Sequence, residues 1–280
     1  MFEIIFLFVL ALIWTIFALV QDLRTTEIAN WLNFSLIFFA MGFRLFYSLF
    51  EGNGLGFFYQ GLIGLAIFFV LGNLLYSAKM FAGGDAKMFF SFGAILPVSE
   101  RIMTNIEGFL LFMLIFFIIG AAYTLAVTVA LSINNSKAFR KEIGKQFRER
   151  KQIVNIVTAL AIIIGLVGLF ADASFFYLAI FVLILPYLYL YTKAVDEAAM
   201  IYLVSPEKLM EGDWLYKDVK VGRRVIRATW DGLSKKEMLL LKKHKKKVWI
   251  RRGVQFTSTF LISLLFYFYF LFIGLGNPFW

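Results

Sequence analysis

An apolar run of about 20 residues is long enough for a helix to cross a hydrocarbon core of about 30 Å, and this chain of 280 residues is assembled from such runs. They occupy residues 4–20, 28–50, 55–76, 108–131, 153–170, 175–191 and 254–274. An eighth, 86–98, is closed by Pro97 and is short for a lipid-exposed span. Extended over 84–101 it can cross, provided its polar ends are buried in protein or reach water. Composition agrees, with 61% hydrophobic and 16% charged residues, against about 45–50% and about 25% in a soluble domain. The expected fold class is an all-α polytopic membrane protein of about eight helical segments, one short, with a small cytoplasmic α+β module before the last span.

Basic residues orient these segments through the positive-inside rule. With the N-terminus outside, eight crossings place Arg24, Lys79 and Lys87 on the cytoplasmic side, with seven basic residues of 132–152 and sixteen of 193–252. That accounts for 26 of the 28 Lys and Arg residues. If the short segment did not cross, either the two large basic segments or the three smaller sites would lie outside. The net charge of +10 therefore reads as membrane topology, and no nucleic-acid partner is expected. Met1-Phe2-Glu3 lacks the basic n-region of a cleaved signal peptide, so the first run is expected to be retained as a span. Three parts are expected: a membrane-embedded helical domain, 1–192, with a basic cytoplasmic loop at 132–152; a module, 193–252; and a final span with its tail, 253–280.

Local signals fill in the connections. Thr25 or Thr26 can cap the second helix, and Glu51-Gly52-Asn53-Gly54 forms a tight turn. Within the module, Pro206 and Gly212 punctuate the chain, 214–215, 219–221 and 225–228 read as short strands, and Asp231-Gly232 marks a turn. Ser234 with Glu237 forms a capping box opening a helix. The cluster Lys242-Lys243-His244-Lys245-Lys246-Lys247 both flanks a span and attracts anionic lipid, at about 1 kcal/mol per basic residue near the surface.

The chemistry available is narrow. Without cysteine there is neither a disulfide nor a thiolate metal site. The single His, His244, argues against a histidine metal site or a histidine-activated nucleophile. No metal and no cofactor are expected. Carboxylates beside spans remain, where an ionised group costs about 2.5–3.5 kcal/mol at a helix centre. Asp22 sits just past the end of the first run, where negative charge opposes the helix dipole, so helix stability does not account for it. Asp85 follows Gly83-Gly84, and an acid there also starts and caps a helix. The topology puts both near the cytoplasmic ends of their segments. Two carboxylates held close share a proton, one acting as base and the other as acid. Such a pair can activate water against a peptide carbonyl and protonate the leaving amine. Lys87 either supports Asp85 or substrate, or extends to the interface. Arg44 lies inside the second run and needs a partner, which the sequence does not identify. Trp31, Trp249 and Trp280 read as interfacial anchors.

These residues carry a resemblance. Asp22-Leu23-Arg24-Thr25-Thr26-Glu27-Ile28-Ala29-Asn30-Trp31 resembles the first motif of the prepilin and preflagellin peptidases, in which an Asp ends the first span and a basic residue, a turn and an Asn follow. Ala82-Gly83-Gly84-Asp85-Ala86-Lys87 resembles the second, the GxGD motif of membrane aspartic proteases, with Ala82 in place of the first Gly. Gly212-Asp213-Trp214 and Arg251-Arg252-Gly253-Val254-Gln255-Phe256 resemble the archaeal type, which carries a cytoplasmic domain before its last span. The resemblance implies a membrane aspartyl endopeptidase with Asp22 and Asp85 catalytic and Gly83, Gly84 and Lys87 supporting substrate. It implies cleavage of type III signal peptides, the short basic leaders of pilin or archaellin precursors, on the cytoplasmic side. A cation-coupled transporter or channel using the same carboxylates, and a non-enzymatic pilus-assembly subunit, are the alternative readings.

Overall fold

The computed structural model describes residues 2–25, 27–50, 54–222 and 224–274, the side chains of 273 and 274 excepted. The expected caps and anchors at Thr26, 51–53 and Trp280 lie outside the described residues. The chain is a multi-pass membrane protein, helical throughout except for a small sheet region near its C-terminal end. Six helices are long and apolar enough to cross a membrane: α1 (Phe2–Thr25), α2 (Asn30–Phe50), α3 (Gly56–Ser77), α5 (Ile102–Asn134), α7 (Lys151–Gly168) and α8 (Ser174–Ala199). Two are short and apolar, α4 (Gly83–Gly93) and α10 (Thr257–Tyr269), the latter continued by a π-helical turn, Phe270–Gly274. The eight expected segments are these eight.

Their ends move in informative ways. Helix α1 runs through Thr25, so Asp22 lies inside its last turn and not beyond it. Thr25 caps nothing in α2: its hydroxyl donates to the Gln21 carbonyl at 2.9 Å and closes α1 instead. The expected basic loop at 132–152 is mostly helix α6 (Ser136–Glu149). Its charged residues obscure an apolar stripe that packs on α8, with Phe139 against Tyr191 and Phe147 against Tyr187, ring centroids 5.8 and 5.9 Å apart.

Two compact units make up the chain, one of residues 1–124 with 255–280 and the other 125–254. In the first, α10 returns to pack against α1, where Phe8 meets Phe268 at 4.5 Å between ring centroids. Its core is aromatic, with Phe68, Phe89, Phe92, Phe112, Phe116 and Phe260 all 0% exposed. Aromatic edges suit an apolar solvent, because association of helices in lipid relies on packing and not on escape from water. Helices α3 and α4 approach through glycines. A Cβ on Gly64 would lie 2.3 Å from the Gly93 carbonyl oxygen, and one on Gly93 2.5 Å from that of Gly64.

The fourth segment explains Arg44. Eleven residues of helix cover only ~16 Å, and residues 94–99 that follow are irregular backbone, which in an apolar surrounding needs internal partners. Arg44, 0% exposed, supplies them. It donates to the carbonyls of Ala94 at 2.8 Å, Ile95 at 3.2 Å and Pro97, and to Phe57 at 3.0 Å. Its guanidinium also lies 4.2 Å from the centre of the Phe57 ring. Asn105 completes the arrangement, accepting from the Val98 and Ser99 N–H groups at 3.0 Å each and donating to the Ser99 carbonyl at 2.7 Å. The partners of Arg44 are thus backbone carbonyls, not an acid.

The second unit begins within α5 and holds α6, the α7–α8 hairpin and a small α+β module. Strands β1 (Ile201–Val204), β2 (Trp214–Leu215) and β5 (Val248–Arg251) form an antiparallel sheet ordered β1-β5-β2. Strands β3 (Val219–Val221) and β4 (Arg224–Ile226) form a separate hairpin. β1 and β5 are absent from the sequence expectation, and Trp249 is a residue of β5. Gly212 and Gly232, both with positive φ, meet at the turn near Asp231, where a Cβ on Gly232 would reach the Gly212 oxygen at 2.1 Å. Helix α9 (Lys235–Lys243) starts at the expected capping box: Ser234 accepts from the Glu237 N–H, and Glu237 accepts from the Ser234 N–H at 3.0 Å. Leu215, Val221, Ile226, Leu241, Val248 and Ile250 form the module's core.

Candidate active site

The first unit brings the ends of α1, α2, α4 and α10 together around Asp22. This residue is 8% exposed, and its surroundings are hydrogen-bond donors. Thr257 Oγ1 donates to Asp22 Oδ2 at 2.7 Å, and the Thr257 N–H lies close to the same carboxylate. Gln255 Nε2 donates to the Asp22 backbone oxygen at 2.7 Å. Local sequence explains the geometry. Thr257 is the first residue of α10, whose N-cap, Phe256, has no side-chain oxygen to offer the free N–H groups of that helix start. The Asp22 carboxylate fills this place, as an anion at a helix N-terminus does.

Asp85 is the third residue of α4 and half-buried. The N-cap is Ala82, and the Asp85 carboxylate lies close to the Ala82 N–H, so a first-turn acid supports the helix start without itself being the cap. Asp22 lies near enough for its charge to act on Asp85. The loop before α4 is anchored by Phe81, which is 3% exposed and surrounded by Phe89, Phe116, Phe256 and Phe260. Lys87 reaches across to α2, donating from Nζ to Asn30 Oδ1 at 2.6 Å. It therefore ties the start of α4 to the start of α2. The connection from α1 to α2 is fixed by Gln21, whose Oε1 accepts from the Ala29 N–H at 3.1 Å.

Gly83 and Gly84 differ from the glycines of the α3–α4 contact. A Cβ on Gly84 would meet Ile28 at 3.6 Å, and one on Gly83 would meet Tyr76 at 3.9 Å, both ordinary contacts. Neither has positive φ. Packing does not require glycine at either position, and Gly83 is exposed beside Asp85. Among the described residues, no group of three or more His, Cys, Asp or Glu side chains is placed to hold a metal ion.

All five residues singled out in the sequence lie in this unit at the starts of α4 or the end of α1, and Lys87 acts on the scaffold through Asn30. Sequence reasoning missed Gln255 and Thr257 as members of the site. Gln255 lies in the stretch that resembles the archaeal type and Thr257 is a polar residue at the head of an apolar run, but neither signal names a partner 233 or 235 residues away. Residues 9–125 match the sequence profile of the type IV leader peptidase family, a stretch that includes Asp22 and Asp85. No curated protein and no solved structure matches the chain.

Proposed function

We propose that this chain, whose residues 9–125 match the profile of the type IV leader peptidase family, is a membrane aspartyl endopeptidase that uses Asp22 and Asp85. Its substrates are prepilin or prearchaellin precursors with type III signal peptides, cut on the cytoplasmic side. The observation that carries the reading is that two carboxylates from separate helices lie near enough for the charge of one to act on the other, one on a helix N-terminus and one beside a glycine that packing does not require.

In this mechanism one carboxylate takes a proton from water as the water attacks the scissile carbonyl carbon. The other, protonated, donates to the carbonyl oxygen as the tetrahedral intermediate forms. The C–N bond then breaks: the leaving amine receives the proton that the base took from water, and a hydroxyl of the intermediate returns a proton to the other carboxylate as the new carboxyl group forms. Gly83 and Gly84 leave room for the substrate backbone next to Asp85. Lys87 holds the start of α4 through Asn30. No cofactor is used. The basic leader stays on the cytoplasmic face, where the cluster Lys242–Lys247 binds anionic lipid.

The test is cleavage of a precursor carrying a type III leader, in membranes, by Asp22→Asn and Asp85→Asn made separately. Each is expected to reduce the rate by at least ~10³-fold, a loss in keeping with general acid–base groups. Substantial activity in either variant would sink the pair.

A further inference from the structure

We infer that Thr257 is a positioning residue for Asp22, so that the start of the last helix is a working part of the active site. The inference rests on the Asp22/Asp85 reading and goes beyond it, because Thr257 lies outside the stretch that matches the family profile.

The Thr257 hydroxyl holds this carboxylate at 2.7 Å, with the backbone N–H of the same residue close to it. A carboxylate without such a donor rotates about its Cβ–Cγ bond, whereas a donor fixed to a helix start restricts that rotation. Gln255, two residues earlier, holds the Asp22 backbone at 2.7 Å and so fixes the other end of the side chain. Thr257 is 0% exposed, so it is not a substrate contact, and its influence on the reaction has to pass through Asp22. The contact between α1 and α10 does not depend on this bond alone, since Phe8 and Phe268 pack further along the same pair of helices.

A neighbouring residue supplies the control. Thr259 is also 0% exposed and on the same helix, and its hydroxyl has no partner among the described residues. Thr259→Val therefore makes the same chemical change at similar burial without touching a carboxylate.

The experiment measures steady-state cleavage of a precursor with a type III leader by full-length protein in proteoliposomes, with thermal melting as the check on folding. Thr257→Val is expected to lower kcat at least ~10-fold, the loss of roughly one charge-assisted hydrogen bond, with KM within about twofold. Thr257→Ser keeps the donor and is expected to stay within about threefold of wild type, while Thr259→Val matches wild type. If Thr257→Val does not melt within a few degrees of wild type, Thr257→Ala is measured in its place. Unchanged kcat without the hydroxyl, an equal loss in Thr257→Ser, or an equal loss in Thr259→Val each overturns the inference. Failure of the aspartate pair is recognised separately, by activity surviving in Asp22→Asn or Asp85→Asn.

Discussion

Arg44 carries a positive charge into an apolar interior and meets no acid there. Its guanidinium has five N–H donors in a planar fork, and the structure directs them to four carbonyls, three of them on the non-helical end of the fourth segment. Gly61 makes room for this, because a Cβ there would lie 2.5 Å from Arg44 Cδ. Arg44→Met would leave these carbonyls without partners at about 1–3 kcal/mol each. A loss of more than about 3 kcal/mol is expected, measured as thermal unfolding in detergent. Arg44→Lys, with three donors and no planar face, should fall between Met and wild type. A variant without the guanidinium that melted like the wild type would remove this account of the short segment. The sequence makes Arg44 conspicuous but hides its role, since carbonyls carry no sequence signature. The same holds for Thr257, where one polar residue at a helix start gives no address for its partner.

At the scale of elements, glycines fall into two kinds. Gly64 and Gly93 are demanded by the approach of α3 and α4, with a Cβ meeting backbone at 2.3 and 2.5 Å. Gly93→Ala is expected to destabilise by at least about 1–3 kcal/mol through overpacking, again read by melting. Gly84→Ala should melt within a degree or two of the wild type yet cut precursor at least ~10-fold more slowly, if that space belongs to substrate. Equal activity in Gly84→Ala would assign the glycine no part in binding. In the module, Ser234→Ala removes one half of the capping box and should cost about 1 kcal/mol of local stability, visible as faster amide exchange in α9. The capping box is readable from sequence because its partners are three residues apart. Strands β1 and β5 are not, because four-residue strands acquire their identity from pairing Ile201 with Arg251 across some fifty residues of chain. Helix α6 is concealed for another reason: its charges outnumber the apolar residues that pack on α8.

For the molecule as a whole, the number and order of helical segments follow from hydrophobicity, which is why eight segments are legible before any contact is known, six of them long and apolar enough to cross among the described residues. What closes the candidate site is less legible, because it joins α1 to a helix that begins only at residue 257. The aspartate and its donor are 235 positions apart, and at about 5–20 residues per second the ribosome needs roughly 12 to 47 s to make the chain between them. Once residue 85 has been made both aspartates exist, and until residue 257 follows the first carboxylate has no helix start to rest on. Chains arrested before residue 255 are therefore expected to leave precursor uncut. On the proposed reading, the chain is born inert and acquires its cutting geometry only when synthesis has passed its last helix.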